Sequence, residues 1–272
     1  MEKLTLANGI GIPCMGFGCY NAYDDVITSA VQMALEAGYR YIDSAEFYKN
    51  EAAVGAGLAS YAGDREELFV LSKIWPSSFD DVAAAFGRTS KDLQTEYLDS
   101  YIIHWPGTDE KRRLSAYEQL LRLAEKGLVR APGVSNFSIP QLEKIREEFG
   151  AYPFVHEIEC HPSYQQRALI DWCRERKIQV ISYEPLNRTK DMALPAVEML
   201  AEKYGKSPAQ IVLRWHVQHD QIPIPKSGNR ERIRQNIALF DFELSEDDME
   251  AIDALETGVK DGQDAAKFPA GY

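Results

Sequence analysis

The feature that most limits what this chain can fold into is an alternation: a short β-like run followed by a longer amphipathic stretch, eight times over. The strand candidates are residues 15–18, 40–43, 68–72, 98–103, 129–134, 155–159, 179–183 and 221–224. Between them lie helix candidates such as 24–37, 79–96, 115–126, 139–149 and 166–176. A period-two run joined to the next through a period-3.6 segment makes a crossover, and crossovers leave successive strands parallel. Eight such units in 272 residues predict an α/β fold, a (β/α)8 TIM barrel, as a single domain over residues 1–272. Ahead of it, runs 4–6 and 10–12 flank Asn8-Gly9 and predict an N-terminal β-hairpin. Past the eighth strand, 230–239 and 246–255 read as extra C-terminal helices, the second capped by Ser245, and 257–272 as a loop. A doubly wound sheet is the competing architecture. It requires a glycine-rich phosphate loop early in the chain, and neither Gly16-Phe17-Gly18 nor Gly55-Ala56-Gly57 carries the third glycine.

Composition narrows the class of function. A 45% hydrophobic content suffices for one large core, and a formal net charge of −12 argues against nucleic acid or an anionic membrane as partner. No apolar run approaches the ~18 residues of a membrane span, and the N-terminus lacks a signal peptide's apolar segment. Cys14, Cys19, Cys160 and Cys173 form no C-x-x-C pair, which suits reduced thiols and no metal. The expectation is a cytoplasmic monomer acting on a small molecule.

In a barrel, chemistry gathers where strands end on the C-terminal face. Asp43 closes the second strand candidate, Lys73 follows the third and His104 the fourth, while Tyr48 stands in the loop five residues after Asp43. Each alone has an ordinary explanation as cap, solvated strand end, turn histidine or half-buried aromatic. Together they make a coherent set. A phenol titrates too high for efficient acid–base work at neutral pH, and a neighbouring ammonium lowers it. Asp43 can keep Lys73 charged, and His104 can orient a carbonyl oxygen. The set suits a reaction in which negative charge grows on oxygen and a proton arrives there, with hydride supplied by a cofactor.

Five ordered blocks carry a family likeness. They are Tyr39-Arg40-Tyr41-Ile42-Asp43-Ser44-Ala45 with Tyr48 and Asn50-Glu51; Ile103-His104-Trp105-Pro106; Gly133-Val134-Ser135-Asn136-Phe137; Glu159-Cys160-His161-Pro162; and Ile224-Pro225-Lys226-Ser227-Gly228-Asn229 with Arg232 and Asn236. The chain resembles the aldo-keto reductases, in particular short bacterial-type members similar to the 2,5-diketo-D-gluconate reductases. The resemblance implies NADPH/NADP+ as cofactor and reduction of small aldehydes and ketones. It implies Asp43, Tyr48, Lys73 and His104 as catalytic tetrad, with Tyr48 as general acid. Ser135 and Asn136, with the position of Glu157, match contacts to the nicotinamide carboxamide, and Tyr183 matches the aromatic that stacks on the ring. Lys226, Ser227 and Arg232 match contacts to the adenosine 2′-phosphate, and Gln235 and Asn236 match positions near the adenine. Two cations beside a helix N-terminus independently suit a phosphate.

Some positions depart from the family pattern. His156-Glu157 stands where an Asn-Gln pair is usual. An ionised Glu157 accepts from the carboxamide NH2 but cannot donate to its carbonyl, and would favour the oxidised cofactor; protonation, or pairing with His156, is the alternative. Pro132 removes a backbone donor inside a strand and predicts a local distortion. Glu184 and Asn187 replace smaller residues in the following cofactor loop. Tyr20, Phe47, Trp75 and Trp105 are expected to wall the substrate pocket. An alternative function keeps the barrel and the cofactor as a binding or regulatory protein with weak turnover. A barrel hydrolase or lyase is disfavoured because no metal-ligand cluster is apparent.

Overall fold

The computed structural model describes residues 2–260. A hairpin of β1 (Lys3–Thr5) and β2 (Gly11–Pro13) precedes eight parallel strands: β3 (Phe17–Gly18), β4 (Tyr41–Asp43), β5 (Phe69–Ile74), β6 (Leu98–Ile103), β7 (Val129–Ser135), β8 (Val155–Glu159), β9 (Gln179–Tyr183) and β10 (Ile222–Pro223). They run in sequence order across one sheet. Two backbone hydrogen bonds, Gly16 N to Pro223 O (3.0 Å) and Gly18 N to Pro225 O (3.1 Å), join its first edge to its last. The (β/α)8 barrel expected from the alternation is the fold. Gly18 is required at that seam: a Cβ there would stand 2.7 Å from the carbonyl oxygen of Ile224.

The helices are α1 (Asp24–Ala37), α2 (Glu51–Leu58), α3 (Val82–Leu93), α4 (Glu110–Glu125), α5 (Ile139–Phe149), α6 (Arg167–Glu175), α7 (Pro195–Tyr204), α8 (Pro208–Gln218), α9 (Arg230–Ile237) and α10 (Glu246–Asp253). No helix among the described residues is long and apolar enough to cross a membrane. Several ends differ from expectation for local reasons. Residues 79–81 belong to a turn, and α3 starts only after Asp81 caps it, its side chain accepting from Ala84 N at 2.9 Å. Helix α4 starts five residues before 115, with Asp109 as cap and a polar first turn that hides the apolar period. Ser245 caps α10 as expected. The expected loop 257–272 lies outside the described residues beyond Lys260. The hairpin turn is a four-residue one, Gly9 N donating to Leu6 O, and only Gly9, not Asn8, takes a positive φ.

Two apolar layers follow from period-two alternation. Outward residues pack against the helices, among them Ile42, Val70, Tyr101, Ile103 and Ile158. Inward residues Tyr41, Phe69, Leu71, Ile102, Ala131, Val155, Ile181 and Ile222 fill the bore, and Leu6 and Ile12 of the hairpin plug its N-terminal end. Pro132 does not distort β7. The strand keeps one register with β6 from Leu98↔Val129 to Ile103↔Val134. Pro132 turns its carbonyl toward β8, accepting from Phe154 N, and the ladder with β8 begins only at Gly133↔Val155. The missing N–H therefore falls just ahead of the pairing.

Candidate active site

Above the apolar bore, the next inward position on several strands is polar. Lys73 is fully buried. Its ammonium donates to Asp43 Oδ1, to Ser44 O at 3.0 Å and to the Tyr48 hydroxyl at 3.2 Å. Asp43 takes a second donor, the Tyr41 hydroxyl, at 3.1 Å. The His104 ring meets the Tyr48 ring edge-on with centroids 5.7 Å apart. Its backbone is fixed on both sides: N–H to Ile74 O at 3.0 Å, and carbonyl accepting from Asn136 Nδ2 at 3.1 Å. The four strand-end residues therefore form one cluster.

The electrostatics differ from the simplest expectation. Burial opposes the charge on Lys73, but Asp43, Glu157 and Tyr48 outweigh it and hold the ammonium well above lysine's usual range. Burial raises the Tyr48 phenol above the tyrosine range, and Lys73 only partly offsets this. The ammonium does not bring the phenol down to neutrality; Tyr48 stays protonated. Burial, then the Lys73 charge, push His104 well below its usual value, so it is neutral. Its Nδ1 is buried without a hydrogen-bond partner.

Ser135, Asn136, Tyr183 and Glu157 join the same mouth. Asn136, at φ 62°, accepts from the Tyr183 hydroxyl at 2.8 Å and donates to Ser135 Oγ at 2.9 Å. Ser135 Oγ donates to Glu157 O at 2.9 Å. The Glu157 side chain turns into the tetrad, Oε1 lying 3.4 Å from Lys73 Nζ. Burial and then Asp43 push its carboxyl well above the carboxylate range, against Lys73. That direction is the one in which the protonated alternative for Glu157 lies. Glu157 does not pair with His156. Neighbours on a strand face opposite ways, and His156 points outward, its Nε2 accepting from Phe137 N at 3.1 Å.

Lys226, Ser227, Arg232, Gln235 and Asn236 form a second group on the β10–α9 connection. Ser227 is buried, and its Oγ accepts from Asn229 N (3.1 Å) and Arg232 Nε (3.3 Å). Asn229 caps α9. Lys226 and Arg232 are exposed, and among the described residues no carboxylate pairs with either. Gln235 is exposed and bonded to Glu231, while Asn236 is buried. A hydroxyl, a helix N-terminus and two unpaired cations make a donor set that fits a phosphate.

The expected walls are aromatic but not equally close. Phe47 stacks on Trp75 (centroids 3.9 Å), Trp75 meets His104 at 5.2 Å, and Tyr20 meets Tyr48 at 5.1 Å. Trp105 is buried, with the Lys260 ammonium 5.8 Å from its ring centre. Tyr20 is 51% exposed and Phe47 38%, which leaves the mouth open.

Other residues build the site without having been singled out. Asn50 donates to Cys19 O and Ala22 O, both at 2.8 Å, holding the loop that carries Tyr20. Glu51 accepts from Ser72 (2.5 Å) and Thr89 (3.1 Å), tying α2 to β5 beside Lys73; burial raises its carboxyl to about 7 against those two bonds. His161 Nδ1 lies 3.1 Å from Asp191, with Glu159 3.5 Å from Nε2. Asp191 also takes Ser163 and Asn187. It thereby anchors the turn Asn187–Ala193, where Asn187, Arg188 and Thr189 all have positive φ.

The aldo/keto reductase family model matches residues 11–257. The chain is 39% identical over 271 residues to the 9,11-endoperoxide prostaglandin H2 reductase of Trypanosoma cruzi, covering 97% of this chain and 95% of that one. It is 39% identical over 264 residues to the glyoxal reductase of Bacillus subtilis, covering 96% and 95%. The crystal structure of a Gox0644 mutant in complex with NADPH superposes with TM-score 0.94 at 34% identity, covering 98% of both chains. The chain belongs to the aldo/keto reductase family of NADP(H)-linked oxidoreductases.

Proposed function

We propose that this protein reduces small aldehydes and ketones, α-dicarbonyls among them, with NADPH, and that Tyr48 delivers the proton. The observation that carries the proposal is the buried Lys73 ammonium, held by Asp43 and lying 3.2 Å from the Tyr48 hydroxyl. Bound NADPH supplies hydride to the carbonyl carbon. As charge grows on the carbonyl oxygen, Tyr48 surrenders its proton and Lys73 stabilises the phenolate left behind. Neutral His104 donates a hydrogen bond to the same oxygen and fixes its approach. Asp43 and the Ser44 carbonyl keep the ammonium in place. Ser135, Asn136 and Glu157 border the nicotinamide position, and Tyr183 offers the face on which that ring stacks. Lys226, Ser227 and Arg232 would hold the 2′-phosphate, with Gln235 and Asn236 near the adenine.

Tyr20, Phe47, Trp75 and Trp105 wall the substrate. An open aromatic mouth suits small carbonyl compounds without tight selectivity, in line with the glyoxal reductase among its relatives. The test is NADPH oxidation with a panel of glyoxal, methylglyoxal, simple aldehydes and keto-sugar acids, beside Tyr48→Phe. Loss of a general acid lowers turnover by about 10²–10⁴-fold. Full activity in Tyr48→Phe would overturn the assignment, and cofactor binding without turnover on any carbonyl would favour the regulatory alternative.

A further inference from the structure

One buried group of the barrel mouth has no part in that scheme as a proton carrier. β4 and β8 stand four strands apart in the closed eight-strand order, on opposite sides of the bore. Asp43 and Glu157 both approach the Lys73 ammonium across it. Both carboxyls are essentially inaccessible to water, at 1% exposure each. Two like charges facing each other around one cation are costly in such a place, and two carboxyl groups can hydrogen-bond only if one carries a proton.

We propose that Glu157 is a positioning residue that shares one proton with Asp43 across Lys73, giving the floor of the site a single negative charge against its single positive one. The hydrogen-bond pattern says where the proton resides. Asp43 receives two donors, the Lys73 ammonium at Oδ1 and the Tyr41 hydroxyl at Oδ2, and is the ionised partner. Glu157 Oε1 has the longer 3.4 Å approach to Lys73, and its Oε2 is buried without a hydrogen-bond partner among the described residues. The direction in which burial and Asp43 push its carboxyl agrees. A glutamine at this position could never carry this proton, so the glutamate adds a titratable group to the proton-donating site.

The consequence is electrostatic. The titratable groups that face Glu157 are Tyr41 and Asp43 from β4, Tyr48 from the turn after it, Lys73 from β5 and Tyr183 from β9. While the shared proton is present, Tyr48 faces a balanced ion pair. Once it leaves, an extra negative charge faces the phenol, disfavours the phenolate and makes Tyr48 a weaker acid. Reduction therefore slows on the alkaline side before Tyr48 itself ionises, because burial holds that phenol above its ordinary range.

The inference rests on the reductase reading for its kinetic half only. The first measurement uses the protein without cofactor. Difference infrared spectroscopy across a pH titration is expected to show the carbonyl stretch of a protonated carboxylic acid at neutral pH, lost on the alkaline side and absent in Glu157→Gln. If Glu157→Gln removes no such band, the proposal is overturned whatever the enzyme's activity. The second measurement is kcat against pH with saturating NADPH. Glu157→Gln cannot ionise, and its alkaline fall is expected to move up by about one pH unit or more, roughly a tenfold gain in kcat over wild type at the foot of the wild-type limb. Glu157→Asp, which keeps an ionisable carboxyl, is expected to retain a limb on the wild-type side. An effect confined to the KM for NADPH, with unmoved pH limbs, would make Glu157 a cofactor contact alone and overturn the positioning role. Should the infrared band behave as expected while Tyr48→Phe keeps full activity, the shared proton stands and the reductase reading falls.

Discussion

Among the described residues, two places bury a cation between two carboxyl groups at the C-terminal end of the barrel, and they balance charge differently. At the first, Lys73 lies between Asp43 and Glu157, fully out of water. At the second, His161 lies between Glu159 and Asp191, also fully buried. The first is a lysine, whose charge persists at any working pH, and one of its two carboxyls is pushed strongly upward. The second is a histidine, which can lose its charge, and its Asp191 is driven down to about 2 because hydrogen bonds from His161, Asn187 and Ser163 outweigh burial. Lys260 also approaches Glu159 there, at 4.0 Å. A surplus carboxyl can thus be met by a proton or by another cation. On the reading proposed above, the proton sits beside the reacting group and the second cation where a loop is held.

The largest expected effect comes from removing the first cation. Lys73→Met should lose about 10³-fold in kcat and about 3–5 kcal/mol of stability, because Asp43 is left buried without its counter-charge. Steady-state assays and urea unfolding measure both. A variant that keeps its stability would mean that Asp43 takes up a proton as readily as Glu157 does. The second effect separates the sites by pH. Burial opposes the charge on His161, yet Asp191 and Glu159 raise it to about 9. A raised value stabilises the fold fully below the unfolded histidine's pKa of about 6.5, and that stabilisation is lost as pH climbs through about 9; the loss amounts to about 3 kcal/mol. Unfolding midpoints between those limits should fall, and His161→Gln should flatten the curve. An unchanged slope in that variant would remove the histidine from the balance. The smallest effect is Lys260→Met, expected to cost less than about 1 kcal/mol because the lysine is partly solvated. A larger loss in the same unfolding assay would make the two sites more alike than their geometry indicates.

The strand ends were legible because period-two alternation fixes both the face and the terminus of a run. Asp43, Lys73 and His104 could be placed from residues 39–44, 68–73 and 101–106 alone. Glu157 could be placed on β8 in the same way, but not given its partner. Its neighbours come from β4 and β5, and which side chains meet across a bore depends on how the sheet closes. Asp191 was hidden for another reason: it lies in a turn with successive positive φ values at Asn187, Arg188 and Thr189, which no propensity anticipates. Helices α7 and α8 were missed although one signal was present. Ser207-Pro208-Ala209-Gln210 forms a capping box, with Ser207 N donating to Gln210 Oε1 at 3.0 Å.

The barrel's seam lies next to the stretch of chain proposed to take the cofactor's phosphate. The strand edges meet through Gly16 and Gly18 against Pro223 and Pro225, and Lys226 follows directly. An anion gripped by residues 226–232 would thus also fasten the joint where the cylinder shuts. Occupancy and structural integrity would rise together.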